Sequence, residues 1–334
     1  MVSDNALSEN AAAGAIREKQ GLIFPGIAPS RFPEVARFMV VNPAARRLVA
    51  VADEVLGYSL LERFQETGED FDEASRVAFL VNCLALAEWA HEARGLRPEL
   101  CVGPSFGGTP AAVYAGALAF PDAVRLTVAL GRHTEEYFAR EHRDVVTQSI
   151  ARLSADRLAE VLAELFEARA WYEIACYVDE DFHLVSVTED RLEQLLRRAR
   201  ALGGLPLYTM RPPMHSAAFA PLREAVAAEV FAGLTLADPR LPLVDDHDGS
   251  LVTTADGVRE LLLDAITRPV RWPQAVRTMR EHGVGTAVVS GPDALWGRVP
   301  VVTDTFEVVP LTPQLALRPR RRSTVTRPAV PQGS

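Results

Sequence analysis

From Gly21 onward, short apolar runs alternate with longer stretches of helical period, the pattern of an α/β protein. Gly21-Leu22-Ile23-Phe24-Pro25-Gly26 predicts a first strand entering a turn. Helical periodicity covers 31–66, with Pro43 as a helix start. Residues 74–95 predict a long, mostly apolar helix buried against a sheet, and Leu100-Cys101-Val102 a buried strand. Helices follow over 109–119 and 121–140.

From 145 to 210 the texture changes. Val145–Ala151 alternates like a strand, and a helix runs from Ser154 to about Ala168. Trp171–Val178 and His183–Val187 predict two strands, Thr188 to about Leu202 a helix, and Leu205–Met210 a strand. The order β-α-β-β-α-β is the ferredoxin-like arrangement. We therefore expect an inserted small subdomain over 145–210, within a large α/β subdomain with a parallel sheet formed by 20–144 and 211–312. In the large part, a helix is expected over 216–232, a short strand at Leu241–Val244, helices over 255–267 and 272–283, and a final parallel strand over Gly285–Ser290. Residues 1–19 and 313–334 read as a flexible leader and tail.

Composition adds exclusions. The 334 residues are 48% hydrophobic, enough for a large core. No apolar run approaches the about 20 residues that span a bilayer, and the start lacks the pattern of a secretory signal. The three cysteines, Cys83, Cys101 and Cys176, lie far apart in apolar surroundings and read as reduced core thiols of a cytoplasmic protein. A net charge of −9 argues against nucleic acid as a partner. Lys19 is the only lysine, so contacts with anions fall to arginine.

The candidate chemistry centres on Gly103-Pro104-Ser105-Phe106-Gly107, which fits G-x-S-x-G between a predicted strand and a predicted helix. A serine on such a turn is lifted out of the sheet, and the next backbone N–H can face a developing oxyanion. Its base must come from seven histidines. Most sit on charged helix faces or in polar loops. His215, in Arg211-Pro212-Pro213-Met214-His215-Ser216, lies where the chain returns from the insert, on a loop stiffened by two prolines, and is the candidate base. His247 is second, and Asp245, Asp246 and Asp248 around it read as a solvated turn with no metal-ligand spacing.

With these residues placed, the chain resembles the malonyl-CoA:acyl-carrier-protein transacylases and the acyltransferase domains of polyketide synthases, over about 20–312. Phe24-Pro25-Gly26 is similar to the family's F-P-G-Q-G and Gly103-Pro104-Ser105-Phe106-Gly107 to its G-H-S-x-G. Asp122-Ala123-Val124-Arg125, Met214-His215-Ser216, Arg268-Pro269-Val270-Arg271-Trp272 and Gly291-Pro292 follow in the family's order. The resemblance implies that the large subdomain is α/β hydrolase-like, with a Ser105–His215 dyad and an oxyanion hole of the Phe106 and Ile27 backbone N–H groups. It implies no metal and no bound cofactor, the acyl group being carried on the phosphopantetheine of an acyl carrier protein. It places the histidine-orienting carbonyl at about Ala265.

The departures bear on the substrate. The family's carboxylate-binding arginine falls on Leu130, and Arg132 lies on another helical face. A buried carboxylate needs a bidentate cation there. With Pro104, Pro213 and Met214, Leu130 is expected to line a pocket for a non-carboxylated acyl group. The expectation is transfer of an aminoacyl or dipeptidyl group between carrier proteins in polyketide biosynthesis, as in the vicenistatin-type acyltransferases of macrolactam pathways. An editing acyl hydrolase, a malonyl transacylase and a non-catalytic docking protein stay open as alternatives. The carrier's acidic helix would meet an arginine patch, with Arg152 and Arg298 as candidates and Arg197, Arg198 and Arg200 reading more simply as a solvated face.

Overall fold

The computed structural model describes residues 19–67, 71–167 and 170–318. Strand β1 (Lys19–Ile23) precedes helices α1 (Phe32–Val41), α2 (Pro43–Leu56), α3 (Leu60–Glu66) and α4 (Glu73–Arg94); β2 (Pro98–Val102) precedes α5 (Gly108–Tyr114) and α6 (Phe120–Arg140). Next come β3 (Val145–Ala151), α7 (Ala155–Glu167), β4 (Tyr172–Asp179), β5 (Phe182–Thr188), α8 (Glu189–Ala201) and β6 (Leu205–Met210). The chain continues through α9 (Ala220–Glu229), β7 (Leu243–Val244), β8 (Leu251–Val252), α10 (Ala255–Thr267), β9 (Val270–Arg271) and α11 (Trp272–Glu281). It ends in β10 (Val284–Ser290), α12 (Pro300–Thr303), β11 (Glu307–Leu311) and α13 (Pro313–Ala316).

Local chemistry sets the boundaries. Pro43 opens α2 behind Asn42, whose side chain accepts from the N–H of Ala45 at 3.1 Å, and Gly57 closes it at φ 75°. Asp72 caps α4 in the same way. Helix α4 is buried on nearly every face, so it runs through the core rather than over it.

The large sheet has the order β11-β10-β1-β2-β7-β8, parallel from β11 through β7, with β8 antiparallel at the edge. The small sheet has the order β6-β3-β5-β4-β9. Its first four strands are antiparallel in the ferredoxin-like order, covered by α7 and α8. Its fifth, β9, pairs parallel with β4 through Cys176–Val270 and Tyr177–Arg271. Since β9 lies between α10 and α11, the large part supplies an edge strand to the small sheet.

Several sequence expectations are corrected. Gly285–Ser290 is not the last parallel strand: β11 follows it at the sheet edge. Pro310 and the edge position hide it, because edge strands carry a weaker apolar pattern. β9 was missed because two residues give no periodicity. The 216–232 helix is α9 flanked by two short 3-10 turns. Lys19 belongs to β1 rather than a leader, and Pro313–Ala316 is a capped helical turn in which Gln314 donates to the Glu34 carbonyl. The rest of the expected leader and tail lies outside the described residues. Among the described residues no helix is long and apolar enough to cross a membrane.

The elbow after β2 is built from close backbone approaches. A Cβ on Gly103 would lie 1.9 Å from the Gly107 carbonyl oxygen, and one on Gly107 would lie 2.2 Å from that of Phe24. Both obstructions are main chain and cannot rotate away. Gly103→Ala and Gly107→Ala are each expected to cost at least about 3 kcal/mol of folding free energy, or to prevent soluble expression. Urea unfolding of purified variants checks this; a near-native midpoint for either would show that the elbow can relax.

Candidate active site

Three adjacent parallel strands, β1, β2 and β7, deliver their carboxyl ends to one edge of the large sheet, where open α/β sheets place their ligands. β2 leads into Gly103-Pro104 and then a 3-10 turn, Ser105–Gly107, that runs into α5. β1 ends beside it, with Phe24 donating its N–H to the Val102 carbonyl at 2.9 Å. β7 leads into Asp245-Asp246-His247.

Ser105 sits at φ 55° and His215 at φ 64°. With Arg152, at φ 59°, they are the non-glycine residues in the left-handed region among the described residues. Such strain persists only where surrounding contacts hold it. For Ser105 the holder is Asp246, whose Oδ2 accepts the Ser105 N–H at 2.8 Å. For His215 it is the Ile266 carbonyl, which accepts the N–H groups of His215 and Ser216 at 3.0 and 3.2 Å.

The side chains then meet. Ser105 Oγ lies 2.9 Å from His215 Nε2, and His215 Nδ1 lies 3.1 Å from the Arg268 carbonyl oxygen. A carbonyl only accepts, so Nδ1 carries the hydrogen and Nε2 presents its lone pair to the hydroxyl. His215 is 6% exposed. Burial, helped by the nearby His247, pushes its pKa from 6.5 down to about 3. His215 is therefore a neutral proton acceptor, aimed at a serine.

The orienting carbonyl is that of Arg268, not a position near Ala265. Asp245 and Asp246 do not form a solvated turn: they are 6% and 2% exposed, and His247 is 2% exposed. His247 is no base for Ser105, because its ring faces Asp246 Oδ1 at 3.4 Å and the Pro269 carbonyl at 3.1 Å. Asp245, Asp246 and His247 hold ligand-type atoms within 4.8 Å of one another, but two of their oxygens already accept the backbone N–H groups of His247 and Ser105. The sequence shows two acids and a histidine directly after a predicted strand; the pairing of that strand with the nucleophile's strand, which puts them beside the elbow, is visible only in the structure.

Phe106 and Ile27 are half-buried against the main core, Phe106 edge-on to Phe79 at 5.8 Å. As the second residue of its turn, Phe106 has no intrahelical acceptor for its N–H. Pro104 and Pro213 are buried; Met214 and Leu130 are half-buried against the same core. Arg132 is exposed. The cation packed beside position 131 comes instead from α4. Arg76 lies so close over Gly131 that a Cβ there would be 1.9 Å from its Nη1, and Glu135 pairs with its guanidinium at 2.8 Å. Arg152 and Arg298 are both exposed, as are Arg197 and Arg200, whereas Arg198 pairs with Glu164.

Residues 149–210 match the family described as the VinK acyltransferase small domain. Across most of its length the chain is similar to the malonyl CoA-acyl carrier protein transacylase of Escherichia coli strain K12, at 26% identity over 85% of this chain and 93% of that one. Its fold is similar to a type II polyketide synthase malonyl-transacylase solved in complex with its acyl carrier protein (TM-score 0.80, 23% identity, 89% of this chain and 97% of that one). It is also similar to the acyltransferase domain from the second module of the salinomycin polyketide synthase (TM-score 0.71, 25% identity, 88% and 69%).

The buried neutral ring has a consequence for stability. Its pKa is about 3 in the native state against 6.5 when unperturbed, so between those values the unfolded chain binds a proton that the native chain does not. Native stability is therefore lost as the pH falls from 6.5 toward 3. Between pH 7 and about pH 4.5, wild type should lose on the order of 2–3 kcal/mol more than His215→Gln. Urea midpoints at the two pH values measure the difference, and equal losses would show that the ring is not held neutral.

Proposed function

The chain is a homologue of the malonyl-CoA acyl carrier protein transacylases and of polyketide synthase acyltransferase domains, and on that footing we propose that it transfers a non-carboxylated acyl group, aminoacyl or dipeptidyl, between carrier proteins through an acyl-serine. The observation that carries the chemistry is the 2.9 Å contact between Ser105 Oγ and the lone-pair nitrogen of a neutral, buried His215.

Ser105 Oγ attacks the thioester carbonyl as His215 Nε2 takes its proton. The Phe106 and Ile27 N–H groups receive the oxyanion. The tetrahedral intermediate collapses, the C–S bond breaks and the leaving thiol takes the proton back from His215. A second carrier's thiol then attacks the acyl-serine by the same steps in reverse. This chemistry calls for no metal and no bound cofactor; the phosphopantetheine arm arrives with its carrier. Exposed Arg152 and Arg298 are the proposed docking cations for the carrier's acidic helix.

The acyl preference rests on Leu130. The activity named for the relatives favours malonyl, but here an apolar side chain packs against the core at 130, Arg132 is exposed, and Arg76 is already paired with Glu135. Of these three positions one is apolar, one is a cation turned to solvent and one is a cation already paired, so a buried malonyl carboxylate would lack the partner it needs.

Intact-mass spectrometry after incubation with acylated carriers is the direct test. Wild type should gain the acyl mass and Ser105→Ala should gain none; an adduct retained on Ser105→Ala would remove the serine from the mechanism. Aminoacyl or dipeptidyl carriers should outcompete malonyl-CoA by at least about tenfold, a difference of about 1.4 kcal/mol, and Leu130→Arg should narrow or reverse that preference. Efficient malonyl transfer by wild type would overturn the acyl assignment. Free acid released faster than transfer to an acceptor carrier would make the enzyme a hydrolase.

A further inference from the structure

Behind Ser105 lies a second histidine that the proposed reaction does not use. His247 Nδ1 faces the Pro269 carbonyl at 3.1 Å, so Nδ1 carries a hydrogen and Nε2 is free to accept or hold another. Nε2 has no well-formed hydrogen bond, and its polar neighbour is Asp246 Oδ1 at 3.4 Å. Side-chain exposure is 0% for His247 and 3% for Asp246. If His247 were neutral and Asp246 ionised, a lone pair would face a carboxylate oxygen in a buried site, with the two atoms too close for a water to lie between them. One proton between them removes that conflict, whichever partner holds it. The other carboxyl oxygen, Oδ2, meanwhile accepts the N–H of left-handed Ser105.

We propose that Asp246 and His247 share one proton, and that this neutral pair acts as a positioning device: it holds the Ser105 backbone in its strained turn without placing a net charge under the dyad. Other titratable and charged groups around the pair fit this reading. Asp245 is committed to the His247 N–H at 2.6 Å, His215 lies 6.2 Å away ring to ring, and Cys176 of β4 is a buried thiol pushed well up by burial and by Asp246. Arg268 is engaged by Asp248 and Asp264. Burial raises the Asp246 carboxyl to about 6, against the lowering effects of His247 and of the Ser105 N–H.

The inference rests on Ser105 as the nucleophile, and two readouts separate its failure from failure of that reading. The first is fluorophosphonate labelling of Ser105 across pH in the full chain. Asp246→Asn keeps an oxygen for the Ser105 N–H and offers an amide hydrogen to His247 Nε2, so it mimics the neutral pair and should label within about threefold of wild type at pH 8 (under 1 kcal/mol). Asp246→Ala loses the holder and should fall about 100-fold. Wild-type labelling should drop below about pH 6, as a second proton makes the pair cationic beside His215, and Asp246→Asn should shift that limb down by at least about one unit. The second readout needs no activity: a far-downfield, exchange-protected proton resonance at pH 8, present in wild type and absent from Asp246→Asn.

Asp246→Asn labelling as poorly as Asp246→Ala, identical acid limbs in wild type and Asp246→Asn, or absence of the protected proton would each overturn the proposal. So would a stoichiometric divalent cation bound to the purified protein at this cluster. If Asp246→Ala does not fold, the Asp246→Asn profile and the resonance still decide. Loss of labelling in wild type itself would instead strike at Ser105.

Discussion

The left-handed backbone of Ser105 is the constraint on which the rest of the site depends. A serine at φ 55° stores strain, and it stays there because three strands converge on it. β1 lays the Phe24 carbonyl against Gly107, β2 feeds the turn, and β7 brings up the carboxyl group that takes the serine's N–H. Only glycine fits at 103 because the elbow folds its own main chain back to contact distance, and only glycine fits at 107 because the Phe24 carbonyl lies against it. The same tightness lifts Ser105 Oγ to where His215 can reach it. Fold and chemistry are thus linked through packing at the sheet edge.

The last turn of α10 and the segment after it perform the matching task for the histidines. Ile266 holds the His215 backbone, the Arg268 carbonyl takes His215 Nδ1, and the Pro269 carbonyl takes His247 Nδ1. The next two residues form β9 and pair with β4 of the small sheet, while the Arg271 N–H binds the Asp246 carbonyl at 2.7 Å. One short run therefore fixes two imidazole tautomers and joins the small sheet to the nucleophile's neighbourhood. Backbone carbonyls suit this work, because they supply direction without a group that titrates.

Much of this was legible in the chain because it rests on strong local signals. Gly103, Ser105 and Gly107 mark the elbow, two prolines before His215 mark a fixed loop, and alternation over 145–210 marks the small sheet. What escaped was non-local. A two-residue strand such as β9 has no period. The Asp245-Asp246-His247 run has the composition of a solvated turn, and only strand order, with β7 beside β2, shows that it lies buried under the serine. Arg76 reads as one more charge near the start of α4, yet its side chain is only 14% exposed and crosses to Gly131. Sequence distance hides such contacts even when each residue is unremarkable alone.

Charge balance around the dyad bears on what it can accept. His215 is neutral, Asp246 is offset by a shared proton, and Arg76 is offset by Glu135. Attack by Ser105 creates an oxyanion and an imidazolium together, so an uncharged acyl chain adds no net charge to the site at any step. A malonyl carboxylate beside Leu130 would add a charge with no counterpart, at a cost of several kcal/mol when buried. An α-ammonium next to the thioester would meet the same objection with the opposite sign, and it would sit close to the forming imidazolium. A dipeptidyl group moves its amine a full residue further from the carbonyl, about 3.5 Å along an extended chain, and puts a neutral amide where the charge would have been. Under the proposed transfer reaction, electrostatics therefore favours the longer acyl chain over a single amino acid.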